Sequence, residues 1–223
     1  MTTNLKITLV VAAVVAAVVA AFMLFAGPAE APGSAAGSLS PGQAAPAELL
    51  VRADSHKLSA ADGKVTLVEF LDFECEACGA TFPHMERVRA EYNGRIDVVV
   101  RYFPLPGHRN GQLAAQVAEA AAKQGKFETM YAKLFETQAQ WGEAQTSRRD
   151  FFLDLATRTG LDMTAFQRDL DAPETVARVV RDQQDGIALG VQATPTIFLN
   201  GRPLETDPTY ANLKSQIDAA LAS

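Results

Sequence analysis

The sequence predicts an α/β domain: a small mixed sheet, interrupted by a long helical block and closed by a helix that returns over it. Three observations carry this expectation. Short apolar runs at 65–71, 96–103 and 196–199 are bounded by turn residues and suit buried strands. Apolar side chains recur at helical spacing between the second and third runs. The resulting order, strand–helix–strand, helices, two strands and a helix, is that of a layered α/β domain.

Composition narrows the function classes. The chain has 223 residues, enough for one domain of ordinary size or two small ones. A net charge of −6 argues against a general nucleic-acid binder, which needs a basic face. Two cysteines, Cys75 and Cys78, exclude a disulfide-dense scaffold.

The N-terminus reads as a membrane segment. From Ile7 to Ala26, twenty residues include one polar side chain, Thr8, and at about 1.5 Å per residue they span a bilayer core of about 30 Å. Lys6 precedes the run, which favours that end staying in the cytoplasm and the remainder lying outside. Ala29-Glu30-Ala31 has the form of a signal-peptide cleavage site, but the apolar run is longer than a usual signal core. Residues 1–26 are therefore expected to be an uncleaved transmembrane anchor, with cleavage as the alternative. Residues 27–48, rich in Gly, Pro, Ala and Ser, read as a flexible linker, leaving 49–223 as the folded domain. Either reading puts that domain outside the cytoplasmic membrane of a bacterium, as a single-pass protein if the anchor is retained.

Each element has its own signal. Val65–Leu71 follows Asp62-Gly63 and is apolar enough to be covered on both faces. Cys75–Tyr92 reads as a helix with Pro83 inside it, where a kink is expected. Ile96–Phe103 lies between Asn93-Gly94 and Pro104. Phe127, Met130, Tyr131, Leu134 and Phe135 form one helical stripe. Phe151, Phe152, Leu155 and Ala156 form another, with Ser147 and Asp150 as a capping box and Gly160 at its end. Val176, Val179, Val180, Gln183 and Ile187 make a third face after Pro173. Asn200-Gly201 then predicts a hairpin joining Thr196–Leu199 to Arg202–Leu204. Tyr210, Leu213 and Ile217 share a face of the last helix.

Cys75-Glu-Ala-Cys78 falls where the first strand passes into the first helix. Unpaired N–H groups and partial positive charge at a helix N-terminus lower the pKa of the first thiol. Cys75 is thus the candidate attacking sulfur, and Cys78, one turn inside, the shielded resolving thiol. Such an asymmetric pair suits two-step exchange through a mixed disulfide. Zinc requires about four ligands and no second cysteine pair exists; His84 supplies at most a third ligand, so no metal is expected. A structural bridge is a poor alternative, because so small a loop removes little unfolded-state entropy. Glu69, in an otherwise apolar strand, is a candidate to relay the Cys78 proton if buried, or an edge residue if not. Thr194-Pro195 opens the third strand run; a cis bond there would present the Thr194 backbone to an extended substrate. His56 and His108 read as exposed loop residues without a role.

Phe70-Leu-Asp-Phe-Glu-Cys-Glu-Ala-Cys78, Phe82-Pro83, Phe103-Pro-Leu-Pro-Gly-His108 and Ala193-Thr-Pro-Thr-Ile-Phe-Leu-Asn-Gly201 together resemble the DsbA-like branch of the thioredoxin superfamily, over residues 60–220. The resemblance implies a thioredoxin fold with a helical insertion at about 107–186 and a cis peptide before Pro195 beside the cysteines. It aligns Glu69 with a buried acid and Cys75 with the nucleophile. It implies no cofactor beyond the redox-active Cys75–Cys78 disulfide. One departure concerns redox tuning: Glu76 and Ala77 occupy the positions where this branch often has Pro followed by His, Tyr or Ser. Glu74 and Glu76 put negative charge beside Cys75, and the helix terminus opposes them. The expectation is a disulfide less oxidising than that of a Pro-His member.

These readings predict a membrane-tethered, extracytoplasmic thiol–disulfide oxidoreductase. Its expected partners are unfolded or folding secreted proteins with free thiols and a membrane redox partner, and it is expected to be a monomer. The alternatives are a tethered reductase or isomerase, and a redox-sensing or copper-handling module.

Overall fold

A computed structural model describes residues 44–223. The expected anchor at 1–26, and the linker up to residue 43, lie outside the described residues. Among the described residues no helix is long and apolar enough to cross a membrane. The last five residues of the expected linker, 44–48, are placed against the domain. The Ala45 amide donates to the Gly201 carbonyl at 2.8 Å, and a short helix α1 occupies Ala47–Leu50. Ala45 and Leu50 are both buried, so residues just before Leu49 also pack on the domain.

Five strands follow: β1 (His56–Ser59), β2 (Thr66–Leu71), β3 (Asp97–Tyr102), β4 (Thr196–Leu199) and β5 (Arg202–Pro203). Their order across the sheet is β1-β3-β2-β4-β5. β2 and β3 are parallel, as the intervening helix crossover requires, and the other pairs are antiparallel. β1 has a single large apolar residue, Leu58, and no alternation, so the sequence pattern missed it; its place on the sheet edge explains why so polar a strand is tolerated.

Alternation along β2 distributes its side chains to two layers. Leu67 and Leu71 join Val98, Val100 and Tyr102 of β3 on one face. Met85 and Val88 of α2 (Glu76–Glu91) and Leu213 and Ile217 of α8 (Tyr210–Ala222) cover that face. Val68 and Phe70 join Val99, Phe103, Phe198 and Leu50 on the other. Glu69 therefore faces α2, on the central strand and between Val100 and Ile197, rather than water.

The insertion holds α3 (Gly111–Ala122), α4 (Phe127–Glu136), a turn of 3-10 helix at Gln138–Gln140, α5 (Arg149–Arg158), α6 (Met163–Leu170) and α7 (Pro173–Ala188). Two expectations are corrected here. Ser147 and Asp150 do not form the expected capping box: Arg148 holds the cap position, with its amide donating to Asn110 Oδ1 at 2.8 Å, while Ser147 Oγ accepts the Arg149 amide at 3.3 Å. The apolar face read for α7 is not its buried face either. Ile187 is 51% exposed and Val176 is also exposed, while Arg178, Asp182 and Asp185 are buried with Val179. The reason is Arg101, fully buried on β3. Its guanidinium meets Asp182 at 2.7 Å and Asp185 at 2.5 Å, and donates to the Leu49 and Leu50 carbonyls at 2.6 and 2.7 Å. A buried charge demands paired partners, so α7 turns its acids inward.

Candidate active site

The turn from β2 into α2 is built by Asp72. Its carbonyl accepts the Cys75 amide at 3.1 Å, and its carboxylate accepts the Glu74 amide at 2.9 Å. This places Cys75 at the N-cap of α2 in extended conformation, with Glu76 as the first helical residue. Pro83 lies inside α2, which continues past it to Glu91. The two cysteines are free thiols, Cys75 at 8% exposure and Cys78 at 0%.

Their acidities diverge as the helix-terminus argument requires. Cys75 is drawn down to about 5, chiefly because the Cys78 thiol donates to its anion. Burial opposes this, but the neighbouring Thr194 and the amides of Cys78 and Ala77 lower it further. Cys78 is pushed well above the usual thiol range by burial, then by its bond to Cys75 and by the charge of Glu69. Ala77 thus contributes its backbone. Glu76 is exposed, and the Glu74 carboxylate is buried and turned away to accept the Asn110 amide at 2.5 Å. Local hydrogen bonds therefore decide the protonation of Cys75, with the two glutamates subordinate.

Thr194 and Pro195 come to the same place from the start of β4, the strand paired antiparallel with β2. Their peptide bond is cis, and the Cys75 thiol donates to the Thr194 carbonyl at 3.3 Å. Thr194 is buried and Pro195 half-buried. Glu69, at 1% exposure, is raised to about 8 by burial and then by the charge of Glu86. Its Oε2 has no hydrogen-bond partner among the described residues, so no contact there competes for a proton carried by the carboxyl. The structure thus brings together Cys75, Cys78, Glu69, Thr194 and Pro195. Among the described residues, no group of three or more His, Cys, Asp and Glu is placed to hold a metal ion.

Two contributors were not visible in the sequence. Gln138, from the 3-10 turn, donates its side-chain amide to the carbonyls of Phe73 and Cys75, each at 2.8 Å. His108 is half-buried rather than exposed, with Nδ1 2.6 Å from Asp72 Oδ2. Only its place in the Phe-Pro-Leu-Pro-Gly-His108 stretch hinted at it. His56 likewise pairs with Glu119, at 2.6 Å, and stacks on Phe127.

Comparison with known proteins agrees with this geometry. The family profile described as Thioredoxin matches residues 54–219. A curated relative named Na(+)/H(+) antiporter NhaA, from Herminiimonas arsenicoxydans, is 38% identical over 143 residues, 64% of this chain and 22% of the relative. Na(+)/H(+) antiporter NhaA 3 of Salinispora tropica is 32% identical over 180 residues, 79% of this chain and 26% of the relative. The chain thus spans only about a quarter of the length of these relatives. Among solved structures, a thioredoxin-like oxidoreductase from Silicibacter pomeroyi is 26% identical, with a TM-score of 0.68, and the match covers 80% of this chain and 99% of that one. BdbD from Bacillus subtilis shares the fold at 23% identity and a TM-score of 0.68, covering 83% and 99%. Alpha-DsbA1 from Wolbachia pipientis shares it at 19% identity and 0.68, covering 78% and 94%. Profile and fold concur: the chain belongs to the thioredoxin family.

Proposed function

We propose that this oxidoreductase forms disulfides in secreted or membrane proteins as they fold, outside the cytoplasmic membrane of a bacterium. The observation that carries the reading is the divergence of the two thiols: Cys75 near 5, Cys78 well above the usual range. A stable Cys75 thiolate stabilises the reduced pair and makes its disulfide a better oxidant.

The exchange proceeds in two steps. A substrate thiolate attacks the Cys75 sulfur, the Cys75–Cys78 bond breaks, and Cys78 leaves with the electron pair. Cys78 takes up a proton, for which Glu69, held protonated to about 8, is the buried donor. A second substrate thiolate then attacks the substrate sulfur of the mixed disulfide, and Cys75 leaves as a thiolate. The substrate has lost two electrons and the pair has gained them. Glu69 regains its proton from solvent. Regeneration requires a membrane partner that accepts two electrons from the pair, and the chemistry requires no cofactor beyond the cysteines.

Residues 7–26 would hold the domain near that partner as a single-pass anchor. The antiporter names of the curated relatives support a membrane setting. The domain is proposed to act as a monomer. Trapping tests the reading: a Cys78→Ala variant cannot resolve its mixed disulfides, so it should accumulate Cys75-linked adducts with envelope proteins. Absence of such adducts from cells expressing the variant would overturn it.

A further inference from the structure

We propose that His108, held by the buried Asp72, is a positioning residue that stabilises the Cys75 thiolate from outside the Cys-x-x-Cys turn. The intervening Glu76-Ala77 offers no cation to the sulfur. The loop after β3 brings a histidine to the residue that shapes the cysteine turn. His108 Nδ1 lies 2.6 Å from Asp72 Oδ2, and that carboxylate, itself buried, also accepts the Leu105 amide at 2.8 Å. Gly111 closes against the same carboxylate: a Cβ there would come within 2.6 Å of Asp72 Oδ1. Asp72 is thus fixed on several sides, and it is the residue whose carbonyl holds the Cys75 amide. His108 and Cys75 are fastened to one rigid turn.

The charge logic follows from that placement. Burial disfavours the imidazolium, but the hydrogen bond and charge of Asp72 outweigh it and raise the histidine above its ordinary value. The charges of Cys75 and Glu74 raise it further. All three groups belong to the β2–α2 turn, where Asp72 is the one bonded to the ring, and Arg109 is its neighbour on its own loop. If the Cys75 anion favours protonated His108, protonated His108 favours the Cys75 anion to the same extent, because coupling free energy is reciprocal. Asp72 fixes the ring and favours its charged form, and it is through that charge that the ring would act on the sulfur.

The inference rests on the exchange reading only in taking Cys75 as the reactive sulfur, and its test uses no client protein. In reduced protein, the thiolate absorbance of Cys75 is titrated for wild type and His108→Gln. The variant's midpoint should rise by about half a pH unit or more, and its disulfide should become less oxidising. Independently, the His108 ring titration is followed by NMR in unaltered protein. Its midpoint should fall when the pair is oxidised and the thiolate disappears. This second readout needs no variant, so it stands even if His108→Gln fails to fold. An unchanged Cys75 midpoint in folded His108→Gln, or a His108 titration identical in both redox forms, overturns the proposal. Failure to trap envelope clients would overturn the proposed function and leave this coupling standing.

Discussion

The Gln138 side-chain amide donates to the Cys75 carbonyl at 2.8 Å, so the insertion grips the backbone of the redox-active turn. Gly79, one turn into α2, makes room for that grip, since a Cβ there would overlap the Gln138 amide. Glycine to alanine inside a helix normally stabilises by about 0.5–1 kcal/mol. Gly79→Ala is expected to lose that gain, because it expels an amide bonded to two carbonyls, each net bond contributing about 1 kcal/mol. Urea unfolding of Gly79→Ala and Gln138→Ala should show both no more stable than wild type. A clear stabilisation by Gly79→Ala would contradict the contact.

Glu69 makes a pH-dependent prediction. Its folded value, about 8, lies above the unfolded value of 4.5, so between these the unfolded chain has released a proton that the folded chain retains. Its contribution to stability is full below about 4.5 and falls as pH rises towards 8, by at most about 1.4 kcal/mol per pH unit. Glu69→Gln should therefore gain stability relative to wild type across that window and level off above it. Exchange should slow, because Cys78 loses its proton donor. Parallel stability profiles for the two proteins would show that the carboxyl does not titrate there.

The Cys75 thiol works in the opposite sense. Its folded value near 5 lies below the unfolded value of 9.0, so its stabilisation is fully present above about 9 and is lost as pH falls through 5. Only the reduced form carries it. Denaturant midpoints of reduced and oxidised protein should shift in favour of the reduced form as pH rises from 5 towards 9. A pH-independent difference would contradict the depressed thiol.

These two ionisations were only partly legible in the sequence. Strand runs around Glu69, the helix behind Cys75 and the Asn200-Gly201 hairpin all follow local patterns, and local patterns place the cysteine pair and Glu69. α7 was misread because a buried Arg101 inverts the usual rule, turning Asp182 and Asp185 inward and leaving Ile187 outside. The contacts of His108 with Asp72 and of Gln138 with Cys75 join residues 36 and 63 positions apart, a distance no periodicity reports.

The Arg101 network predicts stability without redox effect. Asp182 bonds Arg101 and Arg178, and removing one partner of a fully buried pair costs about 3–5 kcal/mol. Asp182→Ala should lose stability on that scale. Its Cys75 titration should stay unchanged, because Arg101 shares a sheet face with Phe70 and Val99, away from the cysteines. Calorimetry and the thiolate titration check the two halves; a displaced Cys75 midpoint would show that the network reaches the site.

The reduction potential of the Cys75–Cys78 couple, measured against glutathione, tests the central claim most directly. A thiolate held near 5 by Cys78, Thr194 and the helix amides predicts a potential well above the thioredoxin value of about −270 mV. A value at or below about −270 mV would contradict disulfide formation as the role of this pair.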